Sequence, residues 1–140
     1  MLIRKPVSVV YDAFIDPEIT TKFWFTKSSG RLDEGKTIKW EWEMYDASTE
    51  IIVKQIIPKQ KITIAWGNPS TTVEFKFTEL TNQATYVVIR NFGFHQTGPD
   101  LIETIKDSTS GFTTVIDGLK AYLEFDIELN LVRDKFPQNR

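Results

Sequence analysis

The chain has 140 residues, of which 41% are hydrophobic and 26% charged, with a formal net charge of −2 and no cysteine. That length suits one domain, expected to span residues 1–140, with enough apolar mass for a buried core. The composition argues against several classes: there is no basic stripe for nucleic acid, no thiol for disulfides or thiolate metal sites, no apolar run of about 18 residues to span a membrane, and no leader-like core in the opening MLIRKPVSVV, so a cytoplasmic protein is expected.

Pro6 is placed to open a short helix in which Val7, Val10, Tyr11 and Phe14 share one face. Asp16 is placed to cap a second, with Pro17 at its first position and Glu18 in its first turn, ending near Phe23 and Trp24. Strand alternation then appears in 36–45, 50–57, 61–66, 71–80 and 84–92, with a further strand expected in 27–32. The gaps carry turn residues and are too short for crossover helices, so neighbouring strands should run antiparallel. In Lys36–Asp46, Ile38, Trp40, Trp42 and Met44 fall on one face and Thr37, Lys39, Glu41 and Glu43 on the other. Two indoles therefore share the dry side of one strand.

Pro99 and Asp100 open a long helix running to about Leu123, roughly 39 Å at about 1.5 Å per residue, a length comparable to the sheet. On its helical wheel Leu101, Ile105, Phe112, Val115, Leu119 and Leu123 lie within about 40° of one line. Thr104, Ser108 and Gly111 fall within or at the border of the same arc. The middle of the dry face is thus undersized, and interiors normally leave no such gap. Either Trp40, Trp42 or Phe75 fills it from the sheet, or it stays open to an apolar guest, with Ser108, Thr104 and Asn91 as polar groups. Each buried indole is worth up to roughly 4–6 kcal/mol, so stability alone can account for the tryptophans.

Reaction chemistry is not written in the motifs. The single histidine, His95, reads as an exposed loop residue; no serine sits in a nucleophile elbow; no glycine loop has phosphate-binding spacing. Glu41/Glu43 and Asp126/Glu128 read as solvated surface. No catalytic residue, metal ligand or cofactor is assigned.

The segments Pro6-Val7…Val10-Tyr11-Asp12-Ala13-Phe14…Asp16-Pro17-Glu18, Phe23-Trp24, Ile56…Pro58, Ile64-Ala65-Trp66, Thr85-Tyr86-Val87 and Gly93-Phe94 resemble the START-like, or SRPBCC, superfamily. Gly111-Phe112-Thr113…Leu119-Lys120-Ala121-Tyr122-Leu123 is similar to the pattern of the branch of activators of heat-shock protein 90 ATPase. The resemblance implies an α+β helix-grip (Bet v 1-like) fold, a curved antiparallel sheet around a long C-terminal helix with a cavity between them. It implies no fixed activity, because this superfamily includes lipid carriers, hormone-binding proteins, aromatic cyclases and chaperone activators. Relatives carry a full strand before the proline, whereas here only Met1–Lys5 are available. A homodimer is one way to cover the sheet edge left by so short a strand.

Three readings follow. The leading one is a binding protein for a hydrophobic or aromatic small molecule, its cavity lined by Trp24, Trp40, Trp42, Trp66, Phe75, Asn91, Ser108 and Phe112. The second is a protein-interaction module acting on a chaperone, which rests on the resemblance alone. The third is a cyclase-like enzyme, which needs inward polar groups from Tyr86, Arg90, Asn91 and Ser108.

Overall fold

The structure, a computed structural model, describes residues 1–137. The chain runs β1 (Leu2–Ile3), α1 (Val7–Ile15), α2 (Pro17–Thr20), β2 (Lys27–Ser28), β3 (Thr37–Trp42), a 3₁₀ turn (Glu43–Tyr45), β4 (Ala47–Ile57), β5 (Lys61–Trp66), β6 (Thr71–Thr81), β7 (Ala84–Phe92), α3 (Gly98–Phe125) and α4 (Leu131–Asp134). The strands form one antiparallel sheet in the order β1-β7-β6-β5-β4-β3-β2. The meander from β3 to β7 is sequential because each turn is short, as the turn residues require.

Alternation decides the inner face. Ile38 of β3 lies opposite Ile51 of β4, Val53 opposite Ile64, Ile62 opposite Phe75, and Phe77 opposite Val87. All eight are buried. Val7, Val10 and Phe14 of α1 and Phe112, Val115 and Leu119 of α3 close over this face. Asp16 caps α2, its side chain accepting from the Glu18 N–H at 3.0 Å, and Pro17 occupies the first turn.

Four expectations need correction. The strand expected over 36–45 stops at Trp42, because Glu43–Tyr45 wind into a 3₁₀ turn that ends on Asp46 in the left-handed region (φ 50°). Met44 is therefore off the sheet, and β4 begins three residues earlier than expected, at Ala47. The strand expected over 27–32 shrinks to Lys27–Ser28. There hydroxyls take over part of the pairing: the Ser29 N–H still donates to the Lys39 carbonyl at 2.9 Å, but the Lys39 N–H donates to Ser29 Oγ at 2.9 Å, and Ser28 Oγ donates to the Gly30 carbonyl at 2.8 Å.

The long helix also overruns its sheet. Its 28 residues make about 42 Å, against roughly 36 Å for an 11-residue strand, and its Ser108 bonds Asn91 near the end of β7. The first turns of α3 overhang, so Ile105, expected in the dry stripe, is 45% exposed and Ile102 is 67% exposed. Burial on α3 is confined to Phe112, Val115, Gly118 and Leu119. Finally, α4 and the residues after it were not anticipated. Their short apolar run, Leu131-Val132 with Phe136, was the available signal. Among the described residues no helix is long and apolar enough to cross a membrane.

Candidate functional site

Beside the point where α3 crosses the sheet, the undersized helix face leaves an open groove of about 820 Å³. Trp42 and Ala47 come from the β3–β4 turn region, Trp66 from the end of β5, and Trp24 from the segment after α2. Ser108, Gly111, Phe112 and Val115 of α3 form the opposite wall, and Val132, Lys135 and Phe136 of the C-terminal segment close one side. A Cβ built on Gly111 would meet no atom within 4 Å, so the room beside the helix is real. A second hollow of about 790 Å³ lies near the β4–β5 and β6 surface, but Lys59, Lys61, Lys76 and Glu79 are among its lining, which marks it as a charged surface dip.

The aromatic residues form two layers. Trp40 is 1% exposed and stacks on Phe25 with centroids 4.6 Å apart and planes at 14°. Phe75 is likewise 1% exposed and sits 5.9 Å from Trp24. Trp24 stands between the layers, 4.9 Å from Trp40 on one side and 6.2 Å from Trp66 on the other. Trp66 and Phe112 face each other at 5.4 Å with planes at 37°, and Trp42 meets Phe25 edge-on at 6.3 Å. Trp42 and Trp66 are only half-buried. The inner layer fills the core and the outer layer walls the groove.

Of the eight residues expected to line a cavity, Trp24, Trp42, Trp66, Ser108 and Phe112 come together at this groove. Trp40 and Phe75 do not line it. Both point the same way as Trp42 and Trp66, but they lie nearer the strand centres, where α1 and Trp24 cover them. Asn91 does not line it either. Its amide donates to Thr71 Oγ1 at 2.8 Å and to the Thr72 carbonyl at 2.9 Å, while its oxygen accepts from Ser108 Oγ at 2.9 Å. Asn91 and Ser108 thus pin α3 to the sheet edge and spend their polarity on each other. Thr104 donates back to the Asp100 carbonyl within its own helix. Tyr86 is 46% exposed, and Arg90 is exposed with its guanidinium over the Phe92 ring at 5.6 Å. The four groups a cyclase-like chemistry would draw on are therefore outside the groove or already hydrogen-bonded. His95 is exposed, its Nε2 3.2 Å from the Ser70 carbonyl.

The C-terminal wall was missed by the sequence reading. The Tyr45 hydroxyl lies 2.9 Å from the Arg133 carbonyl, also reaches the Val132 carbonyl, and accepts from the Phe136 N–H at 3.3 Å. The Phe136 ring stands edge-on to Tyr45 at 6.0 Å. Lys135 Nζ donates to Ser110 Oγ at 2.8 Å and to Thr114 Oγ1 at 3.3 Å. These contacts fold the segment back along α3.

A family model described as Activator of Hsp90 ATPase homolog 1-like protein matches residues 4–124. Among solved structures, protein SSP2350 from Staphylococcus saprophyticus is 29% identical, with a TM-score of 0.81, over 92% of this chain and 91% of that one. The Aha1 dimer from Colwellia psychrerythraea is 21% identical, with a TM-score of 0.70, over 89% of this chain and 92% of that one. CalU16 from Micromonospora echinospora is 17% identical, with a TM-score of 0.70, over 99% of this chain and 80% of that one. The last two likenesses show the fold alone. No curated protein matches.

Proposed function

We propose, starting from the fact that the chain belongs to the family of Activator of Hsp90 ATPase homolog 1-like proteins, that its groove binds a small molecule with an apolar or aromatic body. The observation that carries this reading is the outer layer, half-buried Trp42 and Trp66 with Phe112 beside them, facing unfilled room beside Gly111. Interiors close such gaps where stability alone is at stake, and the inner layer shows the same chain doing so. An apolar guest would remove the exposed indole surface from water at about 25 cal/mol per Å². The volume lies within the range of ligand pockets, about 300–1,000 Å³.

The test is native mass spectrometry and tryptophan fluorescence against a library of lipids and aromatic compounds, run beside Gly111→Phe. That substitution meets open space, so it fills the groove without breaking the Ser108–Asn91 tie. Binding by the parent chain that Gly111→Phe abolishes, with the thermal midpoint retained, is the expected result. No binding by the parent chain across the library would sink the reading.

The family's description supports a second reading, a chaperone-binding module, and the overhanging turn of α3 favours it. Ile102 and Ile105 there are 67% and 45% exposed. If this reading holds, Ile102→Asp weakens co-sedimentation with a purified Hsp90-type chaperone; no co-sedimentation by the parent chain removes it. Homodimerisation belongs with the same proposals. β1 pairs with β7 only through Leu2 and Ile3, which leaves the outer edge of β7 beyond Val87 without a strand among the described residues. A monomer mass by light scattering at high concentration would end that idea.

A further inference from the structure

Lys135 is the one half-buried ammonium on the groove wall. The other lining lysine, Lys106, is exposed and paired with Glu103 at 3.2 Å. The ion pairs of the described residues take up Lys27, Lys36, Lys39, Lys106 and Lys120, and Lys135 is in none of them. Its charge is met instead by neutral hydroxyls. Ser110 Oγ and Thr114 Oγ1 accept two of its three N–H bonds, and its Nζ lies 5.9 Å from the Phe136 ring. Thr114 spends its own proton on the Ser110 carbonyl at 2.9 Å. Ser110 accepts from Lys135 and donates to nothing among the described residues, so its O–H is free. One ammonium N–H and one hydroxyl O–H thus remain at the edge of the groove; its lining also holds the exposed carboxylate of Asp107, which forms no ion pair with Lys135.

A partly desolvated cation without a counter-charge is favoured when an anion completes it, and a charge-assisted bond is shorter and stronger than a neutral one. Two donors and a single positive charge match a carboxylate better than a doubly charged phosphate. We infer that the groove's ligand is an apolar carboxylic acid, its carboxylate held by Lys135 Nζ and Ser110 Oγ and its body lying against Trp42, Trp66 and Phe112. This inference rests on the groove being a binding site and adds the chemical class of what enters it.

The test uses two matched pairs, dodecanoic acid with dodecan-1-ol and 2-naphthylacetic acid with its primary amide, titrated at neutral pH by tryptophan fluorescence. In at least one pair the acid should bind about tenfold more tightly than its neutral partner, the scale of one hydrogen bond to a charged group. Lys135→Met should abolish that preference, and Lys135→Arg should keep it. Should Lys135→Met loosen the C-terminal segment, Ser110→Ala, which keeps the ammonium, should still reduce the preference. Equal binding of acid and neutral partner by the parent chain overturns the carboxylate assignment and leaves the groove intact as a site. A preference that survives Lys135→Met and Ser110→Ala overturns it as well. Binding of none of the four compounds overturns it too, and the library experiment then decides whether the groove reading falls with it.

Discussion

Gly111 and Gly118 lie seven residues apart on α3, about two turns, and meet opposite surroundings. A Cβ at Gly111 would project into open room, whereas at Gly118 it would lie 3.3 Å from the Phe23 Cβ and from the Phe23 carbonyl. Glycine inside a helix costs about 0.8–1 kcal/mol relative to alanine. Gly111→Ala should therefore raise stability by up to about 1 kcal/mol. Gly118→Ala should lower it by about 1 kcal/mol net, because overpacking against the Phe23 backbone and Cβ outweighs the propensity gain. Chemical denaturation of both variants checks the pair, and equal shifts of one sign would refute the packing account. At this same scale the sequence reading of Ser108 was half right. The helical wheel put it on the sheet side, where it lies, but could not reveal that Asn91 would claim its hydroxyl.

At the level of elements, the alternation in Lys36–Asp46 placed Trp40 and Trp42 correctly on one face and could not separate their fates. Two residues along a strand are about 6.6 Å apart, enough here for one indole to sit beneath Trp24 and the next to reach the groove. The turn that follows supplies Tyr45, whose hydroxyl binds the C-terminal segment at three backbone positions. Tyr45→Phe keeps the ring against Phe136 and removes those bonds. The expected loss is about 1 kcal/mol, felt locally. Hydrogen exchange should accelerate at residues 131–136 with little change in the sheet. Unchanged exchange there would mean that the segment is held by Lys135 and apolar contact alone.

Across the whole molecule, the N-terminal strand region and the long helix α3 are tied by one carboxylate. Glu124 Oε2 accepts from the Arg4 N–H at 3.0 Å and from Lys120 Nζ, which also donates to the Leu2 carbonyl at 2.9 Å. Burial of Glu124 opposes its charge, but the bonds from Lys120 and Arg4 prevail and hold its pKa below the ordinary 4.5. A carboxyl with a lowered folded pKa binds fewer protons folded than unfolded, so its stabilisation is complete above about 4.5 and is lost as the pH falls through the folded value. Glu124→Gln should accordingly flatten the acid limb of the stability curve below about pH 4.5 and lower stability at pH 7. Parallel pH profiles for the two proteins would rule out this linkage.

Period and turn chemistry carried the architecture at this scale. The strands over 61–66 and 84–92 were legible to the residue because alternation and turn residues agree at both ends. The strand over 27–32 was not, since its hydroxyl pairing to β3 depends on a neighbour distant in sequence. By itself the sequence determined the order of helices and strands as far as α3, the antiparallel meander, the dry face of its sheet, and the undersized middle of α3, because all of these follow from local periodicity and short connections. The tertiary structure alone decided how far α3 slides along the sheet, which indoles are core and which are wall, and that the residues after α4 return to close the groove. A period names a face but not the position along the axis at which that face meets its partner, and that position decides what each side chain touches.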